Sequence, residues 1–211
     1  MASKIEICNF ALGYIGKQSI AALTENTESA RRVNQFYDVT RDAVLRDYPW
    51  AFAKKEVALA ISTGDTAVKW QFVYQYPAGC AKVRRLYADP ATAPTYNTTL
   101  RNVQSLLDDT DEVPWDMLKI NSSLKIVTDL ENAYAEITEI VTDPSLYDPQ
   151  FVKAFGYALA AELAIPLTKS PTIQAAMMKI YGTVLPAAQA STANERKNTP
   201  QYSSRYARGR W

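Results

Sequence analysis

The chain has 211 residues, of which 47% are hydrophobic and 21% charged, and its formal net charge is +1. That composition is typical of an ordinary soluble globular protein. The sequence contains no histidine, two cysteines and seven glycines, which removes the commonest general base, the commonest zinc ligand and glycine-rich phosphate-binding loops. We therefore expect a protein that is not an enzyme and that holds no metal or cofactor.

No apolar run approaches the roughly 20 residues of a membrane span, and the first residues lack the apolar stretch of a signal peptide. We therefore expect no contact with a membrane and assembly in a cytosol-like compartment. Charge is unevenly spread: residues 57–140 hold seven basic and eleven acidic side chains, whereas residues 191–211 hold five basic and one acidic. This asymmetry predicts macromolecular partners rather than small substrates.

Two helices are predicted in the first 50 residues. Ser3 and Glu6 have the spacing of a capping box, and Gly16 provides a stop. The second helix begins near Thr27 and ends before Pro49, because a residue that precedes proline is forced out of the helical region. Trp50, just after that proline, is expected to plug the space between helices and sheet together with its aromatic neighbour Phe52.

From Val57 the apolar period changes from helical to alternating. Strands are predicted at residues 57–61, 70–76, 83–87, 113–120, 124–128 and 134–141. Turns are expected at residues 121–123 and 131–132, and short strands joined by tight turns predict an antiparallel sheet. Between the third and fourth strands we expect a short helix near Leu100–Leu107 and then an acidic loop.

The stretch from Asp148 to Lys169 is the centre of the predicted fold. Asp148 is suited to cap a helix and Pro149 to occupy its first position. The helix is apolar nearly all round, which predicts burial on several sides. Ser170 and Pro171 then begin a fourth helix in the same way.

The sequence therefore predicts an α+β fold: a four-helix bundle with an inserted antiparallel β domain and an extended C-terminal arm. The predicted boundaries are 1–55 for the first half of the helical domain, 56–142 for the β domain, 143–197 for the second half, and 198–211 for a flexible arm.

Several polar groups invite a functional interpretation and are better explained otherwise. Glu136, Glu139 and Asp143 resemble the paired carboxylates of a glycosidase, but Glu136 and Glu139 are an odd number of residues apart and face opposite sides of a strand. The lysine pair 54–55 and the arginine pair 84–85 are expected to lie on solvated faces. A calcium site is disfavoured because the EF-hand spacing is absent from the acidic loop, whose members are Asp108, Asp109, Asp111 and Glu112.

The arm is the one segment for which a functional role is favoured, since arginine and aromatic side chains contribute most energy at protein interfaces. It is predicted to dock on a partner protein or a neighbouring subunit through Tyr202, Arg205, Tyr206, Arg208, Arg210 and Trp211.

Four segments of the chain, in order, carry a family resemblance: EICNFALGYIG, YDVTRDAVLRDYPWAFA, WQFVYQYPAGCAKVRRLY and YAEITEIVTDPSLYDPQFVKAFGYALAAELAIPLTKS. Together they resemble the tail tubular protein A family, the head–tail connectors (adaptors) of short-tailed bacteriophages. The resemblance spans nearly the whole chain. It does not extend to residues 88–118, and a more acidic turn is expected at residues 78–80.

The resemblance implies a twelvefold homo-oligomeric ring that binds under the portal protein, carries the tail nozzle protein and tail fibres, and encloses passing DNA without sequence specificity. The protein would be part of the virion tail, assembled in the host cytoplasm, and the isolated chain is expected to be largely monomeric. Two hypotheses stay open beside it. One is a virion-associated peptidoglycan hydrolase, and the other is a nucleic-acid-binding module that uses the basic arm.

Overall fold

The computed structural model describes residues 2–88 and 113–195, which form four helices and two three-stranded antiparallel sheets. The helices are α1 (Lys4–Tyr14), α2 (Glu28–Asp47), α3 (Pro149–Thr168) and α4 (Pro171–Glu195). The strands are β1 (Lys54–Ala58), β2 (Phe72–Gln75), β3 (Cys80–Ala88), β4 (Trp115–Ile120), β5 (Ser123–Thr128) and β6 (Ala133–Glu139). The predicted α+β class is confirmed. The arm, the helix expected near Leu100–Leu107 and the acidic loop lie outside the described residues.

The helix starts follow the local sequence signals. The backbone N–H of Ser3 donates to the Glu6 carboxylate at 2.6 Å, and the Glu6 N–H donates to the Ser3 hydroxyl at 3.2 Å, so the predicted capping box is confirmed. The Thr27 hydroxyl caps α2 by accepting from the N–H of Ala30 at 3.2 Å. Gly16, just after α1, has a φ of +71°, which glycine adopts without strain.

Helix α3 is the centre of the helical part. The Asp148 carboxylate caps it by accepting from the N–H groups of Gln150 (2.7 Å) and Phe151 (3.2 Å). The helix packs against α1, α2 and α4, and its small residues allow a close approach. At Gly156, an added Cβ would lie only 3.3 Å from the ring of Tyr14 on α1. A closed four-helix bundle, as distinct from three helices around α3, stays a prediction.

One expectation about α3 needs correction. By length and composition, α3 is apolar enough to cross a membrane, although the sequence was expected to hold no such stretch. The charged residues in α3 are too few to lower its average hydropathy below that of a membrane span. Most of the helix is buried, and α1, α2 and α4 cover its sides. The apolar side chains of α3 therefore pack against the other helices of this chain.

The six strands form two sheets with the orders β1–β6–β3 and β2–β5–β4. A second apolar core lies between the sheets and includes Tyr74, Leu86, Ile126 and Ile137. The predicted antiparallel pairing is confirmed. Positive φ angles mark the predicted turns, at residues 121, 122 and 132.

The first strand differs from its prediction. It runs from Lys54 to Ala58 rather than from 57 to 61, and Ile61 makes only an isolated bridge to Tyr74. The prediction followed apolar alternation, which two lysines hide. Lys54 and Lys55 pair in register with Thr138 and Ile137 on β6, so they belong to the sheet.

Candidate functional site

The predicted docking residues of the arm all lie outside the described residues, so their role stays a prediction. The described part of the chain offers four features to test: the outer face of α4, two polar clusters in the β domain, and the joint between α2 and the sheets.

The outer face of α4 is almost free of charge. Lys179 is the only charged residue between positions 171 and 194. The exposed side of the helix is otherwise made of small, apolar or hydroxyl side chains: Ala175, Ala176, Met178, Gly182, Thr183, Pro186, Ala187, Ala190 and Ala193. Met178 is 51% exposed, and a Cβ added at Gly182 would meet nothing within 4 Å. A helix that packs against its own chain on one side normally presents a polar face to water.

The inner face of α4 is only partly covered. Its large apolar side chains pack against the helical core but stay half-buried: Ile173, Met177, Tyr181, Val184 and Leu185. Among the α4 side chains that the structure describes, only Ala188 and Thr192 are buried. A single chain therefore leaves much of the apolar surface of α4 in contact with water.

The first polar cluster surrounds Glu136 on β6. Its carboxylate is 8% exposed and lies 2.9 Å from the Lys54 ammonium and 2.7 Å from the Arg85 guanidinium. Burial raises the pKa of Glu136, but Lys54 and Arg85 lower it further, so the pKa ends below its ordinary value. A glycosidase needs one carboxylic acid whose pKa is raised. This cluster instead keeps Glu136 ionised.

Glu139 is not part of that cluster. Its carboxylate pairs with the ammonium of Lys55 at 2.5 Å, whereas Glu136 pairs with Lys54. Lys54 and Lys55 are adjacent on β1 and therefore point to opposite faces of the sheet. Their partners Glu136 and Glu139 are thus on opposite faces, as expected. Lys54 and Lys55 are exposed, as expected, and each also bridges β1 to a carboxylate of β6.

The second polar cluster brings a serine and a lysine within bonding distance. The Lys125 ammonium donates to the Ser62 hydroxyl at 2.7 Å, a distance suited to a nucleophile and its base. However, the Ser62 hydroxyl donates to the Asp65 carboxylate at 2.7 Å, and that carboxylate lies 3.0 Å from Lys125. Hydrogen bonds from Ser62 and Lys125 lower the pKa of Asp65. The Lys125 nitrogen lies within bonding distance of both the Ser62 hydroxyl and the Asp65 carboxylate, which is the arrangement of an ion pair rather than of a serine and its base.

This second cluster is better explained as a structural link. Asn121, in the turn between β4 and β5, donates to the other oxygen of Asp65 at 2.6 Å. The cluster thus ties the segment around residue 62 to the β4–β5 hairpin. No sequence pattern indicates this cluster, because Ser62 and Lys125 are 63 residues apart.

Cysteine and metal chemistry find little support in the described part of the chain. Burial raises the pKa of the Cys8 thiol to about 12, and burial also raises that of Cys80, whereas reactive cysteines have lowered values. Within residues 2–88 and 113–195, no group of three or more acidic or cysteine side chains is placed to hold a metal ion. An open groove of about 410 Å³ beside Arg31 and Arg32 is lined only by polar side chains of α2.

The joint between the two parts of the fold lies at the end of α2. The Trp50 indole N–H donates to the carbonyl of Val44 at 2.9 Å. The Arg84 guanidinium donates to the carbonyl of Arg46 at 2.9 Å and to the Thr138 hydroxyl at 2.7 Å. Arg46 in turn donates to the carbonyl of Ala81 at 2.6 Å. The bonds to Val44 and Arg46 occupy carbonyls that the last turn of a helix leaves without partners.

Two expectations are corrected at this joint. Arg84 and Arg85 were expected on solvated faces. Arg85 is exposed and bonds Glu136, whereas Arg84 is half-buried and bonds α2. Trp50 was expected between helices and sheet; it is fully buried, and it lies in the helical core against Phe52 and Phe151.

Comparison with known proteins adds no identification. The chain matches no protein-family model and no curated protein sequence. The resemblance to the tail tubular protein A family therefore stays a prediction. The function must be inferred from the surface and the polar clusters described above.

Proposed function

We propose that this chain is the subunit of a homo-oligomeric ring that serves as the head–tail connector of a short-tailed bacteriophage. The observation that supports assembly is the outer face of α4, where Lys179 is the only charge between positions 171 and 194. The specific assignment to a connector rests on the family resemblance of the sequence.

The composition of the α4 face suits contact between helices. Burying alanine, glycine and methionine removes few polar groups from water, and charged residues are depleted in the centres of interfaces. Small side chains also let a second backbone approach closely. The lysine at position 179 can cover apolar surface with its aliphatic stem while its ammonium stays in water. A second copy of the chain on this face would also complete the burial of the half-covered residues behind it.

In the proposed ring the four helices form the bundle that contacts neighbouring subunits and the portal. The β domain faces outward, toward the tail nozzle protein and the tail fibres. The C-terminal arm ties the ring to the portal or to the next subunit. Passing DNA is enclosed without sequence specificity, and the protein is part of the virion tail.

The peptidoglycan hydrolase hypothesis has less support. It needs a carboxylic acid that keeps its proton near neutral pH. The two acidic clusters of the β domain instead bind their carboxylates to lysine and arginine, which lowers the pKa of Glu136 and of Asp65. A zymogram on peptidoglycan with the purified chain would overturn this preference if it showed clearing.

The direct test mixes the purified chain with isolated portal rings of the same phage and examines the mixture by electron microscopy. We expect a second ring under the portal with wild-type chain. Ala176→Glu on α4 should prevent its formation, whereas Ala43→Glu, at an exposed alanine of α2, should not. Absence of a second ring with wild-type chain would contradict the proposal.

A further inference from the structure

Two arginines connect α2 and β3 in both directions. Arg46, near the end of α2, donates from Nη1 to the backbone carbonyl of Ala81 on β3 at 2.6 Å. Arg84, on β3, donates from Nη2 to the backbone carbonyl of Arg46 at 2.9 Å, with a longer contact of 3.5 Å to Leu45. Each guanidinium therefore binds the main chain of the element that carries the other.

A bulge in β3 makes this geometry possible. The register with β6 shifts between Val83 and Arg85, so Arg84 is the extra residue of the bulge. Without the bulge, adjacent residues 84 and 85 would point to opposite faces of the sheet. With it, Arg84 reaches Thr138 and Arg85 reaches Glu136, which lie on the same face of β6 because they are two residues apart. Arg84 thereby faces the end of α2.

The chemistry of the helix end favours these partners. The last carbonyls of a helix lack intrahelical donors and carry a partial negative charge, so a cation there is stabilising. The planar guanidinium of Arg84 can also serve two acceptors at fixed angles, here the Thr138 hydroxyl and the Arg46 carbonyl. A lysine at position 84 could not hold both in the same way.

Arg46 also makes a side-chain hydrogen bond with Tyr76, just before β3, and two stretches of backbone connect the helices to the sheets. In the described part of the chain, the backbone passes between them at residues 48–53 and 140–148. Both passages are anchored on the helical side, since Trp50, Ala53, Val141 and Tyr147 belong to the helical core. Toward the sheets the passages lead directly into β1 and out of β6.

We propose that Arg46 and Arg84 form a latch that sets the orientation of the β domain on the helices, and that opening the latch lets the β domain turn about the two passages. The latch lies at the surface: Arg46 is exposed and Arg84 half-buried. Water can therefore compete for its bonds, so the latch opens without disturbing the buried Trp50 beside it. This inference is independent of the proposed connector function.

The test measures the distance between the two parts of the fold. Spin labels on a genetically encoded ketone amino acid at Ser122 and Lys179, both exposed, leave the cysteines untouched. Electron–electron double resonance should give a narrow distance distribution for the wild-type chain. Arg84→Lys and Arg46→Ala should broaden it, because losing one charge-assisted bond raises the open population about tenfold. The matched control Arg85→Lys, at the next residue of the same strand, should leave it narrow.

Three outcomes would overturn the latch: unchanged width in Arg84→Lys, equal broadening in Arg85→Lys, or a double variant whose broadening is the sum of the two singles. Residues that act in one latch are not additive. If Arg84→Lys does not fold, the wild-type chain decides the question by NMR. The Nη2–H protons of Arg84, which donate to the Arg46 carbonyl, should exchange slowly with solvent, and exchange as fast as that of the guanidinium of the exposed Arg31 would contradict the proposal.

Discussion

Helices α2 and α4 pack against the same helix, α3, yet their surfaces are opposite in character. Along the 20 residues of α2, the inner side chains Val33, Tyr37 and Val44 are buried and the outer face carries charges such as Arg31 and Asp38. Along the 25 residues of α4, the large apolar side chains are half-buried and the outer face is nearly uncharged. This contrast supports the proposal that α4, rather than α2, contacts a second copy of the chain.

The difference is one of pattern rather than of hydrophobic content. A helix whose polar residues share one face gains burial on the other without leaving apolar surface in water. Helix α2 has that arrangement except at Val39, which is 71% exposed, and it is also tied to the sheets at its end. Helix α4 divides its apolar residues between both faces, so packing against α3 covers only some of them.

The largest effect should come from the end of α2. Trp50→Ala removes a fully buried indole and its bond to the Val44 carbonyl, so we expect the free energy of unfolding to fall by about 3–5 kcal/mol. Trp50→Phe, which keeps a ring but loses the N–H, should cost only about 1 kcal/mol. Urea denaturation measures the free energy of unfolding of both variants. An unchanged free energy of unfolding in Trp50→Ala would disprove the core role of this residue.

A smaller effect is expected on α4 in the isolated chain. Met177 is half-buried, so Met177→Ala should lower the free energy of unfolding by about 1 kcal/mol, well below the cost for a fully buried methionine. In the assembled state Met177→Ala should lower the free energy of unfolding by more, because a second copy of the chain would complete the burial of Met177. Measuring unfolding below and above the concentration at which the chain associates separates the two values. Equal values in both states would argue that α4 gains no cover from a second copy.

The smallest effect concerns two tyrosines at alkaline pH. Burial raises the pKa of Tyr37 on α2, and burial together with nearby Asp47 raises the pKa of Tyr181 on α4 to about 12. An unfolded tyrosine ionises near pH 10. Since the folded chain holds these protons more tightly, the free energy of unfolding is unaffected below about pH 10 and falls as the pH rises beyond it.

Ultraviolet absorbance during an alkaline titration distinguishes the two tyrosines. We expect Tyr181→Phe to remove a phenolate signal near pH 12 from the folded chain, and Tyr37→Phe to remove only signal that appears with unfolding. If α4 were the more buried helix, Tyr37 would ionise in the folded chain and Tyr181 only on unfolding.

Local features of the fold could be predicted from the sequence because their partners are near in the chain. The capping box of Ser3 and Glu6 and the Asp148 cap each join residues at most three positions apart. The long-range polar links could not be predicted. Arg84 meets the Arg46 carbonyl across 38 residues, and a bulge that the apolar alternation does not reveal turns it there.

The outer face of α4 is also marked in the sequence. The pattern of Ile173, Met177 and Tyr181 indicates only the inner side of the helix, whereas the scarcity of charge between residues 171 and 194 indicates the outer side. Composition around the whole helix, rather than the period of its largest residues, contains that signal.

The most direct test of the account asks which helix touches a second copy of the chain. A photo-crosslinking amino acid is placed at Thr183 on α4 or at Asn34 on α2, both exposed in the single chain, and each sample is illuminated at high concentration and again with portal rings present. We predict a ladder of covalent dimers and higher multiples from position 183 and none from position 34. A ladder from position 34 alone, or from neither position in an assembled sample, would contradict the assignment of α4 as the contact between subunits.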